Sequence, residues 1–267
     1  MNHEHHHVIG MGAQVILAMP FVIIRVLYVL AVINSNRRYK NWPYYRTVFW
    51  IMGVFAAIVA VAGPLAQRSH ADFTMHMFSH LLLGMLAPLL MVLATPITLL
   101  LRTLPVALAR RLTRMLKSTP FRIVTDPIVA SVLNVGGLWI LYATDLYAAM
   151  HENALLHILI HLHIFLAGYL FTFSMIYIDP VSHRTSFAYR SIVLTLALAG
   201  HGILSKYIYT HPPTGIPTPQ AEIGGMLMYY GGDAIDCVII FILCYQWYKA
   251  TRPRTIVTMS KRHSGMM

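Results

Sequence analysis

The run MHMFSHLLLGMLAPLLMVLATPITLLL, from Met75 to Leu101 and followed at once by Arg102, decides the fold. A helix needs about 20 apolar residues to cross roughly 30 Å of hydrocarbon, and this run exceeds that. It nevertheless opens on His76 and His80 and closes against a cation. Runs of similar length at 14–33, 47–66, 127–144, 153–176, 188–209 and 224–247 complete the pattern. Together they predict an all-α, seven-transmembrane helix bundle spanning 14–248, preceded by a His-rich tail at 1–13 and followed by a basic tail at 249–267. Gly53, Pro88, Gly136 and Gly200 fall inside these runs, where spanning helices tolerate them.

The gaps between the runs carry unequal charge. Arg37, Arg38, Lys40 and Arg46 follow the first run, and Arg102, Arg110, Arg111, Arg114, Lys117 and Arg122 follow the third. Arg184 and Arg190 follow the fifth; Lys249, Arg252, Arg254, Lys261 and Arg262 follow the last. Of the 20 Lys and Arg residues, this leaves Arg25 inside a run and Arg68 and Lys206 on the opposite side. Cytoplasmic loops are the basic ones, so the N-terminus is expected outside and the C-terminus in the cytoplasm. Of the 15 histidines, all but His183 and His263 then fall in the outer half or beyond it. Histidine is the commonest metal ligand among side chains, so this partition points to a metal handled at the outer face.

Composition agrees with a polytopic membrane protein: 57% of the chain is hydrophobic and 11% charged. A net charge of +11 would suggest nucleic acid in a soluble chain. Here the basic residues border the spans, so anionic membrane lipid is the expected partner, with no nucleic acid. The start of the chain lacks the basic n-region of a cleavable signal peptide. Cys237 and Cys244, on one helix and seven residues apart, are separated by about 10.5 Å of rise, too far for a disulfide.

Within the runs, His76 and His80 stand at i, i+4, as do His157 and His161, so each pair shares a helix face. His163 is two positions on and faces elsewhere. His201, Asp233, Asp236 and Cys237 occupy the last two runs. At about 1.5 Å of rise per residue, His80, His161, His201 and Asp233 reach similar depth in the outer half. That many polar groups in hydrocarbon need partners, which a metal or haem supplies; a structural polar network is the alternative.

Thioethers favour Cu(I), and Met75, Met77, Met150, Met226 and Met228 gather toward the outer ends, so copper is the expected metal. Met75, Met77, Met226 and Cys237 are candidate entry or soft ligands. The N-terminal amine and amides of Met1, Asn2 and His3 form a candidate square-planar chelate, with His5, His6 and His7 adjacent. Arg25 lies deep in the first run, and a buried ion pair with Asp236 is the expected compensation.

The motif His76-Met77-Phe78-Ser79-His80 leading into Ala87-Pro88-Leu89-Leu90 and Thr95-Pro96, the His157/His161 pair, and Gly224-Gly225-Met226-Leu227-Met228-Tyr229-Tyr230-Gly231-Gly232-Asp233 resemble the CtaG family of cytochrome c oxidase assembly factors. These are polytopic proteins of the bacterial plasma membrane, distinct from the single-span copper chaperone that shares the name. Where the family pattern carries Asp-Gln before the first glycine pair, this chain reads Gln220-Ala221-Glu222-Ile223. The resemblance implies maturation of haem–copper oxidase, with copper delivered to oxidase subunits or passed to a copper chaperone at the outer face; no nucleophile–base constellation is present, so no enzymatic activity is expected. Joined to it, the histidine reading predicts copper held by His76, His80, His157, His161, His201 and Asp233. A haem-binding electron-transfer protein and a copper transporter are the alternatives.

Overall fold

The structure, a computed structural model, describes residues 2–181 and 183–253, with side chains from residue 12 onward. The described chain is all helix and loop: α1 (Asn2–Arg38), α2 (Tyr44–Val61), α3 (Pro64–Ser69), α4 (Phe73–Leu93), α5 (Pro96–Thr103) and α6 (Val106–Leu116), then α7 (Thr119–Val124), α8 (Pro127–Ala143), α9 (Leu146–Glu152), α10 (Ala154–Met175), α11 (Phe187–Thr210) and α12 (Thr218–Thr251). Among the described residues six helices are long and apolar enough to cross a membrane: α1 from Gly12, α2, α4, α10, α11 and α12. A seventh crossing exists if α8 and α9, bent by 79° at their junction, count as one broken span. The protein is accordingly a multi-pass membrane protein.

Two sequence expectations are corrected. The third run does not continue helical to Leu101. Thr95 adopts a left-handed conformation at φ 52°, which a β-branched residue visits rarely. Pro96 then lacks the N–H needed to extend the helix and starts α5 instead. The basic stretch after Arg102 is also more than a charged gap. It forms α6, where Arg110, Arg111 and Arg114 share the helix with exposed Val106, Leu108 and Met115, the composition of a helix lying in the membrane interface.

The helices start where side chains can accept their first amide protons. Asp72 accepts from the Thr74 and Met75 amides, Asn153 from Leu155 and Leu156, Asp126 from Ile128, and Ser186 from Tyr189. Each of α4 and α8 contains one π-helical turn, at Leu82–Leu86 and Val132–Gly136 respectively.

Small residues set which helices approach most closely, because lipid-embedded helices associate by packing rather than by a hydrophobic drive. The two glycine pairs of α12 divide their work. Gly224 lies against Phe73 and Met77 and Gly231 against Leu81, all on α4; Gly225 lies against Ser205 and Tyr209 and Gly232 against His201, all on α11. The seven-residue repeat therefore wedges α12 between two neighbours. On the far side of α4, a Cβ on Gly168 of α10 would run into the Gly84 carbonyl oxygen in the π-helical turn. These contacts bring α4, α10, α11 and α12 within ligand reach of one another.

The ends of the bundle differ in chemistry. At one end the Gly63 amide donates to Gln14 and the Phe73 amide to Gln220, while the Thr214 hydroxyl donates to Asp145; His70 and His151 lie here. At the other, Trp42 Nε1 donates to the Tyr28 hydroxyl (3.1 Å), which donates to the Ala94 carbonyl (3.0 Å). Arg102 contacts the Lys40 carbonyl there. The sequence partition of histidines from cations is thus a partition between two physical ends.

Candidate functional site

Five imidazoles at the histidine end form a closed loop. His70 follows the short α3, His76 lies on α4, His151 on α9, and His157 and His161 on α10. Ring centroids are 5.0 Å apart for His70–His157, 4.1 Å for His157–His161 and 6.4 Å for His161–His76; the loop closes through His76–His151 at 6.5 Å and His151–His70 at 6.0 Å. Two imidazoles bound to one ion through nitrogens at about 2.0 Å would have centroids of the order of 5 Å apart, so the loop has the right scale. Among the described residues, however, no three His, Cys, Asp or Glu side chains meet at ligating geometry. Ligation therefore requires the rings to turn.

Hydrogen bonds already orient several of these rings. His161 Nδ1 donates to the His157 carbonyl at 2.9 Å and His151 Nδ1 to the Tyr147 carbonyl at 3.0 Å. A carbonyl can only accept, so neutral His161 and His151 keep the Nε2 lone pair available, the tautomer control typical of ligating histidines. His76 Nε2 pairs with the Tyr142 hydroxyl at 3.0 Å, and His157 Nδ1 has no partner among the described residues. Tyr147 packs edge-on against His76, and Phe73 stacks on His76 while meeting Tyr142 and Tyr147 edge-on. Burial, reinforced by the facing His151, holds the His70 imidazole below its ordinary pKa, which keeps it in the neutral form a metal binds.

His80 does not join that loop. One turn deeper than His76, it lines a separate small cavity with Met85, Asn134, His201 and Asp236. The i, i+4 spacing on α4 therefore feeds two sites. His80 Nδ1 and Nε2, His201 Nε2 and Asp236 Oδ1 all lack partners among the described residues, although His80, His201 and Asp236 are only 4%, 6% and 3% exposed.

Other candidates are placed elsewhere. Asp233 and Cys237 are exposed on α12, as is Met226. Met77 is fully buried against Gly224, and Met75 is half-buried. The Arg25–Asp236 ion pair is corrected: Arg25 is exposed on α1, which packs against α2, α5 and α10, whereas Asp236 lies on α12 between α11 and α4. Similar depth does not bring two residues to the same angular position. An exposed arginine can instead snorkel along its helix toward the interface. Met1 and the side chains of Asn2 and His3 lie outside the described residues. His163 faces away, as its offset from His161 predicted: its Nε2 donates to the Leu133 carbonyl at 3.0 Å.

Sequence reading missed His70, His151, Tyr142, Tyr147, Met85 and Asn134. His70 and His151 sit outside the apolar runs, where hydropathy carries no signal for them. The bend between α8 and α9 is what returns Tyr147 and His151 across the bundle end. The nearby signal was the break at Gly63-Pro64 before His70 and the Asn153 cap just after His151.

Comparison with known proteins agrees on the family. An uncharacterized protein of Mycobacterium bovis is 27% identical over 264 residues, and one of Mycobacterium leprae is 25% identical over the same length. In each case the match takes in 91% of this chain but 40% of the relative, so the chain spans well under half the length of the curated relatives it matches. No solved structure gives a significant match. Residues 26–250 match the cytochrome c oxidase caa3 assembly factor family (Caa3_CtaG) across the C-terminal third of α1, all of α2 to α11 and nearly all of α12, and the chain belongs to that family.

Proposed function

We propose that this protein binds copper at the histidine end of its bundle and supports delivery of that copper to a haem–copper oxidase. The observation that carries the reading is the closed loop of His70, His76, His151, His157 and His161, drawn from four separate segments of the fold. Family membership supplies the process, assembly of cytochrome c oxidase; the imidazoles supply the chemistry. Copper is cargo here, held and handed on without turnover of a substrate. Asp233, being exposed, is left out of the ligand set.

Haem is the poorer fit. The cavity between His80 and His201 measures about 20 Å³, far below the size of a porphyrin, while the roomier groove of about 450 Å³ carries His163 alone among histidines. Transport is also less well supported, because the far end of the bundle is rich in cations that would repel a copper ion. Oxidase subunits or a copper chaperone are the proposed partners, meeting the histidine end at the outer face of the bacterial plasma membrane. Anionic lipid is proposed to hold α6 at the opposite face.

The test is Cu(I) binding to the detergent-purified full chain, measured by competition with a chromophoric chelator. His157→Ala/His161→Ala protein that stays monodisperse is expected to lose copper relative to wild type. Full copper content in that folded variant overturns the reading. In the source bacterium, deletion is expected to lower oxidase activity while fermentative growth survives.

A further inference from the structure

We infer that the bundle holds a second, deeper copper station, built from His80, His201, Met85 and Asp236 and chemically suited to a single Cu(I) ion. The inference rests on the proposed copper function for the identity of the metal, but its geometry is independent of the five-histidine loop.

These groups converge from three helices on one cavity of about 20 Å³, which Asn134 of α8 also lines. That is room for one water-sized species. The side chains bordering it are at least nine-tenths buried at His80, His201 and Asp236, and both ring nitrogens of His80, one of His201 and one oxygen of Asp236 are unpartnered among the described residues. Buried polar atoms are ordinarily paired, and in hydrocarbon the requirement is stricter. One nitrogen of neutral His80 carries its proton, so His80, His201 and Asp236 offer the cavity one donor and up to three lone pairs; as placed the three do not stand at ligating geometry, and binding an ion requires the rings to turn. A water molecule, with two to four hydrogen bonds, can serve these groups as donor and acceptor; a cation serves the lone pairs alone, and the donor set decides which cation that is.

The donor set then selects the cation. Two imidazoles and a thioether favour copper, and the thioether favours the cuprous state. Charge selects in the same direction. Asp236 has no cationic partner in the cavity, since Arg25 lies elsewhere on the bundle. A monovalent ion beside one ionised carboxylate makes a neutral assembly, whereas a divalent ion leaves a net positive charge in the bilayer interior, which is costly.

Glycine gives the rings their space. A Cβ at Gly232 would sit 2.7 Å from His201 Cε1, and one at Gly84 would sit 3.2 Å from His80 Cε1. Met85 belongs to the π-helical turn that follows His80, and such turns recur at functional sites. His76 of the outer loop and His80 of the inner cavity are one helical turn apart on α4, about 6 Å of rise, so copper passing between the stations would stay on one helix face.

The experiment is Cu(I) stoichiometry and X-ray absorption on the monodisperse full chain, with the metal kept reduced by ascorbate. Wild type is expected to hold two ions. His201→Ala and the isosteric Asp236→Asn are each expected to hold one, and His157→Ala/His161→Ala to retain the inner ion with a sulfur scatterer that disappears when Met85→Leu is added. If the inner variants keep full copper while the outer double variant loses it, the cavity holds only water; the inference falls and the proposed function stands. If the inner variants lose copper and the outer double variant does not, the inner station stands and the five-histidine reading falls. Wild type without copper removes both. Should His201→Ala or Asp236→Asn fail to fold, the sulfur signal in the outer double variant decides, and its absence there overturns the inference.

Discussion

The two ends of this bundle bury comparable polar chemistry and treat it differently. At the basic end, Asp179 accepts from the Ile97 amide (3.0 Å), the Thr98 amide (2.8 Å) and the Thr98 hydroxyl (2.6 Å), capping α5 just after the Thr95-Pro96 break. Burial pushes its carboxyl above the usual range, and those three hydrogen bonds oppose the shift. Arg190 donates to the Met175 carbonyl at 2.7 Å and stacks on Tyr177 and Phe187; Arg190 Nε, Thr95 Oγ1, Ser35 Oγ and Trp50 Nε1 are left over among the described residues. Tyr28, Trp42 and Ala94 close a further chain. At the histidine end, apart from Ser79 Oγ, the unpaired atoms among the described residues belong to imidazoles and one carboxylate, groups that ligate metals. Paired groups such as Asp179 and Tyr28 lock helices together. Unsaturated ones, held in place by glycine packing, are available for binding.

Accessibility sharpens this comparison most, because its outcome is all or none. With Cys237 and Cys244 replaced by Ser, a membrane-impermeant thiol reagent applied to intact cells is expected to label Thr214→Cys at the histidine end. The same reagent should leave Lys117→Cys, in the basic segment, untouched. The reverse result would turn the bundle over and place the histidines in the cytoplasm.

Next in size is Gly168→Ala. The added methyl group meets backbone at Gly84 rather than a movable side chain, so α10 and α4 must separate. Overpacking of this kind costs on the order of 3 kcal/mol. Thermal unfolding in detergent should fall well below wild type; an unchanged midpoint would show that the close approach of these helices is not needed.

Asp179→Ala tests the saturated end. Losing a helix cap and exposing buried amides costs roughly 1–2 kcal/mol, with Cu(I) stoichiometry per folded molecule unchanged. A loss of copper from the folded variant would mean that the two ends are coupled and not independent. His163→Ala is the mildest, at about 1 kcal/mol for one hydrogen bond. It too should leave copper in place, because His163 spends its Nε2 on the Leu133 carbonyl.

Much of this was written in the linear chain. Hydropathy alone located six of the seven expected spans and the first limb of the bent pair at 127–152, since a lipid-crossing helix must be both long and apolar, and charge counting separated the ends that the fold keeps apart. The separate environment of His163 also followed from its helical offset. What linear spacing cannot provide is the angular position of one helix relative to another. Depth placed Arg25 near Asp236, yet the two helices face different neighbours; i, i+4 spacing put His76 and His80 on one face, yet they serve different clusters. The residues that complete those clusters, His70, His151, Met85 and Asn134, come from a turn, a bent span and two π-helical turns. Periodicity and hydropathy report how far along an axis a residue lies. The tertiary packing, set by glycines pressing α12 against α4 and α11 and α10 against α4, decides which side chains meet.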